Sequence, residues 1–212
     1  MIIAVDGPVA AGKGTLARRL AEHFGFAYLD TGSLYRAVAL RVLRAGQSPE
    51  DGAAAAAQAA AIEPADLADP RLRDEATGGV SSLVSSHPEV RARLLAYQRE
   101  FAARPPSGAA GAVLDGRDIG AVVCPDADVK LFVTASAEQR ARRRHAELLE
   151  RGEAVAFDTV LADLRDRDER DRSRAASPLK PAADAHLLDT TNLDIEAAFQ
   201  AALTIVAGGK AP

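Results

Sequence analysis

Short runs of apolar residues alternate along this chain with longer stretches in which apolar residues recur every three or four positions. The short runs predict five β-strands, at residues 2–5, 26–29, 112–118, 129–133 and 186–191. Leu16, Leu20 and Phe24 recur on one face of a predicted helix, which Gly25 ends. Five strands that alternate with helices predict an α/β fold with a mostly parallel five-stranded sheet and helices on both faces.

Turn and capping residues divide the chain further. Ser48, followed by a proline and two acids, predicts the start of a capped helix, and a second helix is expected from Pro88. The polar segment at residues 63–79 is the predicted excursion from the sheet, and residues 104–108 predict a linker back to it. After the fourth strand, Ser136 predicts the N-cap of another helix.

Composition narrows the class of protein. The 212 residues are 48% hydrophobic and 26% charged, which is ordinary for a globular chain. No apolar run approaches the roughly 20 residues that a membrane span needs, so we expect no membrane partner. One cysteine excludes an internal disulfide, and the four scattered histidines lack metal-ligand spacing.

Charge is distributed unevenly along the chain. A net charge of −4 argues against a nucleic-acid-binding surface, and we expect no nucleic-acid partner. Ten of the 22 arginines nevertheless fall between Arg140 and Arg174. This concentration predicts a local site for an anion.

The strongest chemical signal lies directly after the first strand. A strand, a glycine-bounded loop with a lysine and then a helix form a cradle in which backbone N–H groups surround phosphate oxygens. The predicted phosphate loop consists of Gly7, Pro8, Val9, Ala10, Ala11, Gly12, Lys13, Gly14 and Thr15. Gly14 stands where the strict pattern has a hydroxyl residue, so we assign Mg²⁺ to Thr15. The alternative is a turn that binds nothing.

Polar residues follow the second and third predicted strands. Ligands of open α/β sheets bind beyond the carboxyl ends of the strands, which places Thr31 and Arg36 on the side of the phosphate loop. The third strand ends in Asp-Gly-Arg-Asp at residues 115–118, as expected of a buried strand that ends in an active site. In the alternative interpretation, Thr31 is a helix cap, Arg36 is a surface charge, and residues 115–118 form a turn with an internal ion pair.

A charged helix is the second informative stretch. Its apolar face, which includes Phe157, Val160 and Leu164, continues with Arg167, Arg170, Asp171 and Arg174. A face that changes from apolar to guanidinium groups predicts a helix that runs from the core into a phosphate-binding cleft. The alternative is a solvated helix with surface salt bridges.

Four stretches, GPVAAGKGT, DTGSLYRA, LDGRDIG and RDRDERDRSRAASPL, resemble in order and spacing the cytidylate kinases of bacteria, in the nucleoside monophosphate kinase group. The resemblance spans nearly the whole chain, and the last three stretches are not shared by phosphate-loop proteins at large. It implies one domain with a three-layer P-loop NTPase core at residues 1–45, 108–140 and 180–212. A mobile monophosphate-binding region at about 46–107 and a mobile arginine-rich lid at about 141–179 complete the implied domain.

The resemblance also implies an activity and a site. The activity is transfer of the γ-phosphoryl group of ATP to CMP or dCMP, with Mg²⁺. The implied monophosphate pocket consists of Thr31, Arg36, Ser82, Arg91, Arg117, Asp118, Arg167, Asp171 and Arg174. The phosphate is assigned to Arg36, Arg117 and Arg174, the base to Ser82, Arg91 and Asp118, and the sugar to Arg167 and Asp171. Catalysis is assigned to Lys13, Arg117 and Arg174.

Two features depart from the family pattern. Val9 and Ala10 stand in the loop where the family often has small residues including glycine. The stretch between Ala45 and Gly79 is shorter than in longer members and lacks strand-like alternation. Because the phosphate loop begins at residue 7, we expect no leader peptide and a cytoplasmic protein. We also expect a monomer.

Two other function classes share the phosphate loop. A GTP-dependent switch protein needs an asparagine-based motif that reads guanine, and the only asparagine, Asn192, is far from such a motif. A kinase that acts on an alcohol generally needs a base, whereas a monophosphate with a second pKa near 6 is already largely ionised at neutral pH. The surplus of arginines over candidate bases therefore favours a monophosphate acceptor.

Overall fold

The central sheet has five strands, and all neighbouring strands run parallel. The computed structural model describes residues 1–174 and 177–209. The strands are β1 (Ile2–Asp6), β2 (Ala27–Asp30), β3 (Ala112–Gly116), β4 (Val129–Thr134) and β5 (His186–Asp189). Their spatial order is β2-β3-β1-β4-β5. The predicted α/β fold with a five-stranded parallel sheet is confirmed.

The described residues also form eight α-helices. They are α1 (Lys13–Phe24), α2 (Thr31–Arg44), α3 (Gly52–Ala60), α4 (Glu75–Val84), α5 (Pro88–Ala103), α6 (Ala137–Glu150), α7 (Phe157–Ser173) and α8 (Ile195–Gly208). Three short 3₁₀ segments lie at Pro64–Ala68, Pro70–Arg73 and Pro106–Gly108, and a π turn lies at Ile119–Val123. None of the described helices is long and apolar enough to cross a membrane.

Alternate residues of each buried strand point to opposite faces of the sheet, which gives two cores. Ile3 and Val5 of β1 pack on one face with residues of α1 and α8. Ala4 of the same strand packs on the other face, in the core that includes residues of α2, α3 and α5. The result is three layers, with helices above and below the sheet, and the carboxyl ends of all strands meet at one edge.

The excursion at residues 46–107 contains only helical elements and connecting loops. Gly78 and Gly79, which mark turns in many sequences, lie inside α4. The predicted helix start at Ser48 is wrong: α3 begins at Gly52, and Asp51 caps it by accepting a bond from the N–H of Ala54 at 3.0 Å. A carboxylate next to the first helical turn is a stronger acceptor for that N–H than a hydroxyl three residues earlier.

Helices α6 and α7 form a hairpin that lies over the carboxyl edge. Their facing apolar residues, Ala141, Leu148, Val160 and Leu164, make a small core of their own. Ser136 caps α6 as predicted, since its hydroxyl accepts from the N–H of Gln139 at 3.2 Å. The lid predicted at about 141–179 includes residues 175–176, and the core predicted to end at 212 includes residues 210–212, which lie outside the described residues.

Candidate active site

The loop between β1 and α1 has the backbone of a phosphate cradle. Gly7 has φ +151°, and a Cβ there would lie 2.0 Å from the carbonyl oxygen of Val133, so only glycine fits. Ala10 adopts a left-handed conformation at φ 58°, a strained geometry for a residue with a side chain. No described side chain caps α1, and its first turn has no acid. The N–H groups at the start of α1 are therefore available to an anion.

Lys13, the first residue of α1, lies at the junction of two cavities. Burial and then the charge of Arg117 lower the pKa of its ammonium group, while the carboxylates of Asp115 and Asp30 act in the opposite direction. Burial raises the pKa of Asp115, while the positive charge of Lys13 acts to lower it. The hydroxyl of Tyr28 donates to Asp115 at 3.4 Å. The loop lysine thus faces two carboxyl groups at the ends of β2 and β3.

The first cavity, which we call the acceptor cavity because the monophosphate pocket implied by the resemblance falls on it, has a volume of about 240 Å³ and lies beside the phosphate loop. All nine residues of the monophosphate pocket predicted from the resemblance line it: Thr31, Arg36, Ser82, Arg91, Arg117, Asp118, Arg167, Asp171 and Arg174. They come from α2, α4, α5, the turn after β3, α7 and the residue that ends α7. Five separate segments therefore converge on one space.

Carboxylates neutralise the arginines of the acceptor cavity in specific pairs. Arg117 Nε donates to Asp171 Oδ2 at 2.8 Å, and Arg174 lies 3.8 Å from the other oxygen of Asp171. Arg91 pairs with Asp118. The alternative of an internal ion pair at residues 115–118 is therefore wrong, because both partners come from other helices. Burial acts to raise the pKa of Asp171, but Arg117, Arg174 and Arg167 together hold it below its ordinary value.

The buried polar atoms of this cavity include two for which the described residues offer no hydrogen-bond partner. They are the hydroxyl oxygen of Ser82 and Nη2 of Arg174. The neighbouring hydroxyls differ, because Ser81 donates to the carbonyl of Gly78 at 2.8 Å and Ser85 to that of Ser82 at 3.1 Å. Buried polar atoms are nearly always paired in folded proteins. A polar ligand in the cavity would supply the partners that these two atoms lack.

Thr31 and Arg36, which follow β2, do not have the surroundings that the alternative interpretation expected. Thr31 does not cap α2; Asp30 does, by accepting from the N–H of Ser33 at 3.2 Å. The buried hydroxyl of Thr31 donates to the carbonyl of Asp115 at 2.7 Å, so it can offer a ligand only its lone pairs. Arg36 lies 3.8 Å from Asp30 and is partly exposed toward the cavity.

The predicted polar face of α7 is only partly right. Arg167 lines the acceptor cavity, but Arg170 is exposed. In its place Asp168 is 5% exposed and forms a two-bond pair with Arg140 of α6, at 3.0 and 2.5 Å. Arg140 also donates to the carbonyl of Val9 in the phosphate loop at 3.2 Å. Sequence reasoning missed this pair, since its members are 28 residues apart and each resembles the exposed charges around it.

The second cavity, which we call the donor cavity because the predicted phosphate loop forms one of its walls, is larger at about 770 Å³ and lies on the other side of Lys13. Its walls are the phosphate loop, α6 and the segment that joins β5 to α8. Arg143 connects the last two walls, because its guanidinium donates to the hydroxyl of Thr190 at 3.0 Å and to the carbonyl of Thr190 at 2.6 Å. Sequence reasoning missed Arg143 and Thr190, for which no local motif gives a signal.

The oxygen donors near the phosphate loop suit a magnesium ion that arrives with a nucleotide. Thr15 is exposed and lines the donor cavity, and the carboxyl groups of Asp30 and Asp115 lie across the loop near Lys13. In the part of the chain described, no group of three or more His, Cys, Asp or Glu residues could hold a metal alone. Mg²⁺ usually keeps several waters and takes one or two protein oxygens together with phosphates, so these residues fit it.

A phosphate loop at the carboxyl edge of a parallel sheet, with a lysine between two cavities, defines a P-loop phosphotransferase. The family model for cytidylate kinase matches residues 3–207. Cytidylate kinase of Paramagnetospirillum magneticum is 60% identical over 205 residues, 97% of each chain. That of Rhodospirillum rubrum is 58% identical over 207 residues, 98% of this chain and 97% of the relative. The chain belongs to the cytidylate kinase family and is an enzyme, a nucleoside monophosphate kinase.

Solved structures show the same fold at much lower sequence identity. The crystal structure of an uncharacterized protein from Eubacterium ventriosum matches with a TM-score of 0.55 at 14% identity. The match covers 98% of both chains. This likeness concerns the fold alone.

Proposed function

We propose that this enzyme transfers the γ-phosphoryl group of ATP to CMP or dCMP, giving ADP and CDP or dCDP, in pyrimidine nucleotide metabolism. The observation that carries the proposal is that Lys13 lines both cavities. ATP in the donor cavity would direct its phosphates along the loop toward Lys13, and a monophosphate in the acceptor cavity would meet them there. The family membership supports the same pair of substrates.

The acceptor cavity would hold the monophosphate by three kinds of contact. Arg36, Arg117 and Arg174 suit the phosphate, because guanidinium groups bind phosphate oxygens in pairs. Asp118, Arg91 and the unpartnered hydroxyl of Ser82 suit the polar edge of the base. Arg167 and Asp171 suit the sugar, and the lone pairs of Thr31 remain available.

The chain's contribution to the reaction is positioning and positive charge. The acceptor phosphate is already largely ionised at neutral pH, so no base has to remove a proton from it. Arg117, Arg174 and Lys13 all line the acceptor cavity, and they would stabilise negative charge on the transferring group. Asp171 holds Arg117 in this orientation.

A magnesium ion would bind with ATP at the hydroxyl of Thr15. When bound, Mg²⁺ neutralises charge on the phosphate oxygens and helps to align them. Asp30 and Asp115, whose charges act on Lys13, would be available to accept hydrogen bonds from waters of the ion. We further propose that the enzyme works as a monomer in the cytoplasm, where both nucleotides are available, with neither nucleic acid nor membrane as a partner.

A substrate panel tests this function. ADP release from ATP and Mg²⁺ is measured with CMP, dCMP, UMP, AMP and GMP, and with small alcohols such as shikimate. CMP and dCMP should give turnover well above the others, and Lys13→Ala should lower the rate by about 10²–10³. Preference for an alcohol or a purine monophosphate would contradict the proposal, and near-normal turnover of Lys13→Ala would contradict the placement of ATP.

A further inference from the structure

A buried carboxylate connects the phosphate loop to the acceptor cavity without belonging to either. Asp6 is the last residue of β1, directly before Gly7, and is 5% exposed. In the sheet register it lies opposite Gly116, the last residue of β3. The chain then continues through Arg117 and Asp118, both of which line the acceptor cavity.

The carboxylate of Asp6 holds the backbone that follows Asp118. Its two oxygens accept from the N–H groups of Ile119 and Gly120, each at 2.8 Å. These residues open the π turn Ile119–Val123. Asp118 has non-helical backbone angles, φ −145° and ψ 25°, so the direction of its side chain depends on how the turn behind it is held.

A side chain of opposite charge holds the other end of this turn. Arg99 of α5 donates to the carbonyl of Val122 at 3.0 Å and to that of Val123 at 3.2 Å. An anion on the N–H end and a cation on the carbonyl end match the polarity of a helical turn. Helix α5 also supplies Arg91, the partner of Asp118, so the turn and the base-facing pair are fixed relative to the same helix.

Burial of Asp6 does not favour the charged form. Burial raises the pKa of this carboxyl group to about 6, although its two backbone hydrogen bonds act in the opposite direction. A carboxylate whose burial opposes its charge in this way adds little to the stability of the fold. Its geometry is better explained by what it orients.

We propose that Asp6 is a positioning residue for acceptor recognition, which fixes the π turn and thereby aims Asp118 and Arg117 into the acceptor cavity. This inference rests on the proposed function. Loss of the carboxylate should therefore weaken binding of the acceptor and reduce the preference for CMP over UMP. It should leave the ATP site, on the opposite side of Lys13, close to normal.

The test compares variants of two carboxylates that lie at opposite ends of β1. Asp6→Asn keeps the size of the side chain but sets an NH₂ group against one of the two N–H groups. Its control is Asp128→Asn, which alters the exposed carboxylate that accepts from the N–H of Ile2 at 2.7 Å, at the other end of β1. Steady-state constants are measured for CMP, UMP and ATP at a temperature where both variants are folded.

For Asp6→Asn, KM for CMP should rise and the CMP to UMP ratio of kcat/KM should fall, each by about tenfold, as expected for a misplaced contact group. KM for ATP should stay within about twofold of wild type, and Asp128→Asn should resemble wild type throughout. An unchanged CMP to UMP ratio, or an equal rise in KM for ATP and CMP, would overturn the positioning role. A wild-type enzyme that does not prefer CMP would instead contradict the proposed function.

If Asp6→Asn does not fold, Arg99→Ala replaces it, because Arg99 is exposed and holds the other end of the turn. Arg104→Ala, at the end of the same helix, is the matched control. A lower CMP to UMP ratio in Arg99→Ala alone supports the role of the turn. The same CMP to UMP ratio of kcat/KM in Arg99→Ala and Arg104→Ala would overturn the role of the turn.

Discussion

Asp118 lines the acceptor cavity and also pairs with Arg91. An ionised aspartate only accepts hydrogen bonds, and cytosine offers it an exocyclic amine where uracil has a carbonyl oxygen. UMP would leave a desolvated carboxylate opposite a lone pair, at a penalty of roughly 1–3 kcal/mol. Asp118 therefore has the chemistry to select the base, and its pairing with Arg91 would orient it for that purpose.

Asp118→Asn should lower the CMP to UMP ratio of kcat/KM by about one to two decades, because an amide can either donate or accept. The loss should come mainly from CMP. Steady-state rates with each nucleotide measure it. If both substrates slow by the same factor, Asp118 serves only to hold Arg91, and it does not read the base.

Ser82 offers a second test at the scale of one atom, since its buried hydroxyl has no partner among the described side chains and backbone groups. Ser82→Ala should raise KM for CMP by about two- to tenfold, the worth of one ordinary hydrogen bond, with no loss of thermal stability. Ser81→Ala is the matched control, because that hydroxyl lines the same cavity but already donates to Gly78. Equal changes in KM for the two variants would contradict a contact between Ser82 and the acceptor.

At the scale of elements, predictions from sequence succeed where the signal is local. The end of α1 at Gly25 follows from its left-handed conformation at φ 65°, and the start of α6 follows from the hydroxyl of Ser136. The start of α3 could not be predicted as easily, since Ser48 and Asp51 are both good caps and only Asp51 receives the helical N–H. The polar face of α7 could be predicted only in part, because the burial of Asp168 and Asp171 depends on arginines from elsewhere in the chain.

The buried pair between Arg140 and Asp168 should hold the α6–α7 hairpin together. Breaking it by Arg140→Ala or Asp168→Ala leaves one buried charge without its close partner and should cost about 3–5 kcal/mol. The exposed pair between Glu138 and Arg165 also joins α6 to α7, at 2.8 Å, and gives a matched control. Arg165→Ala should change stability far less, because solvent screens exposed charges.

Denaturant unfolding of the three variants measures this difference. The double variant Arg140→Met with Asp168→Leu should recover much of the loss, since an apolar pair leaves no buried charge. Similar losses for Arg140→Ala and Arg165→Ala would show that burial of the pair does not matter.

At the scale of the whole molecule, motifs and topology could predict which segments meet, but not how their side chains pair. The carboxyl ends of parallel strands share one edge, so the segments after β1, β2 and β3 had to converge. The pairing of Arg117 with Asp171, 54 residues away, depends on how α7 returns over that edge. Asp6 gave no signal either, because a carboxylate at the end of a buried strand looks like part of the loop that follows it.

The α6–α7 hairpin also reaches the acceptor region. Arg151, at the end of α6, donates to the carbonyl of Arg73 at 2.9 Å, across a cavity of about 380 Å³ that is lined by Arg18, Arg36, Arg144 and Arg167. This exposed bond is the kind of contact that opens easily. Nucleotides with negative phosphates would add attraction between the same surfaces.

Hydrogen exchange across α6 and α7 should therefore slow most when a non-hydrolysable ATP analogue and CMP are both bound. Closure over both nucleotides excludes water from the γ-phosphate and suppresses wasteful hydrolysis, and lids of this kind move in microseconds to milliseconds. Amides of β1 and β4, in the middle of the sheet, are the internal reference and should not change. Because Arg140 already ties α6 to the phosphate loop through Val9, the ATP analogue alone should protect α6 more than α7. Equal protection of both helices by either nucleotide alone, or none with both, would contradict closure of a lid.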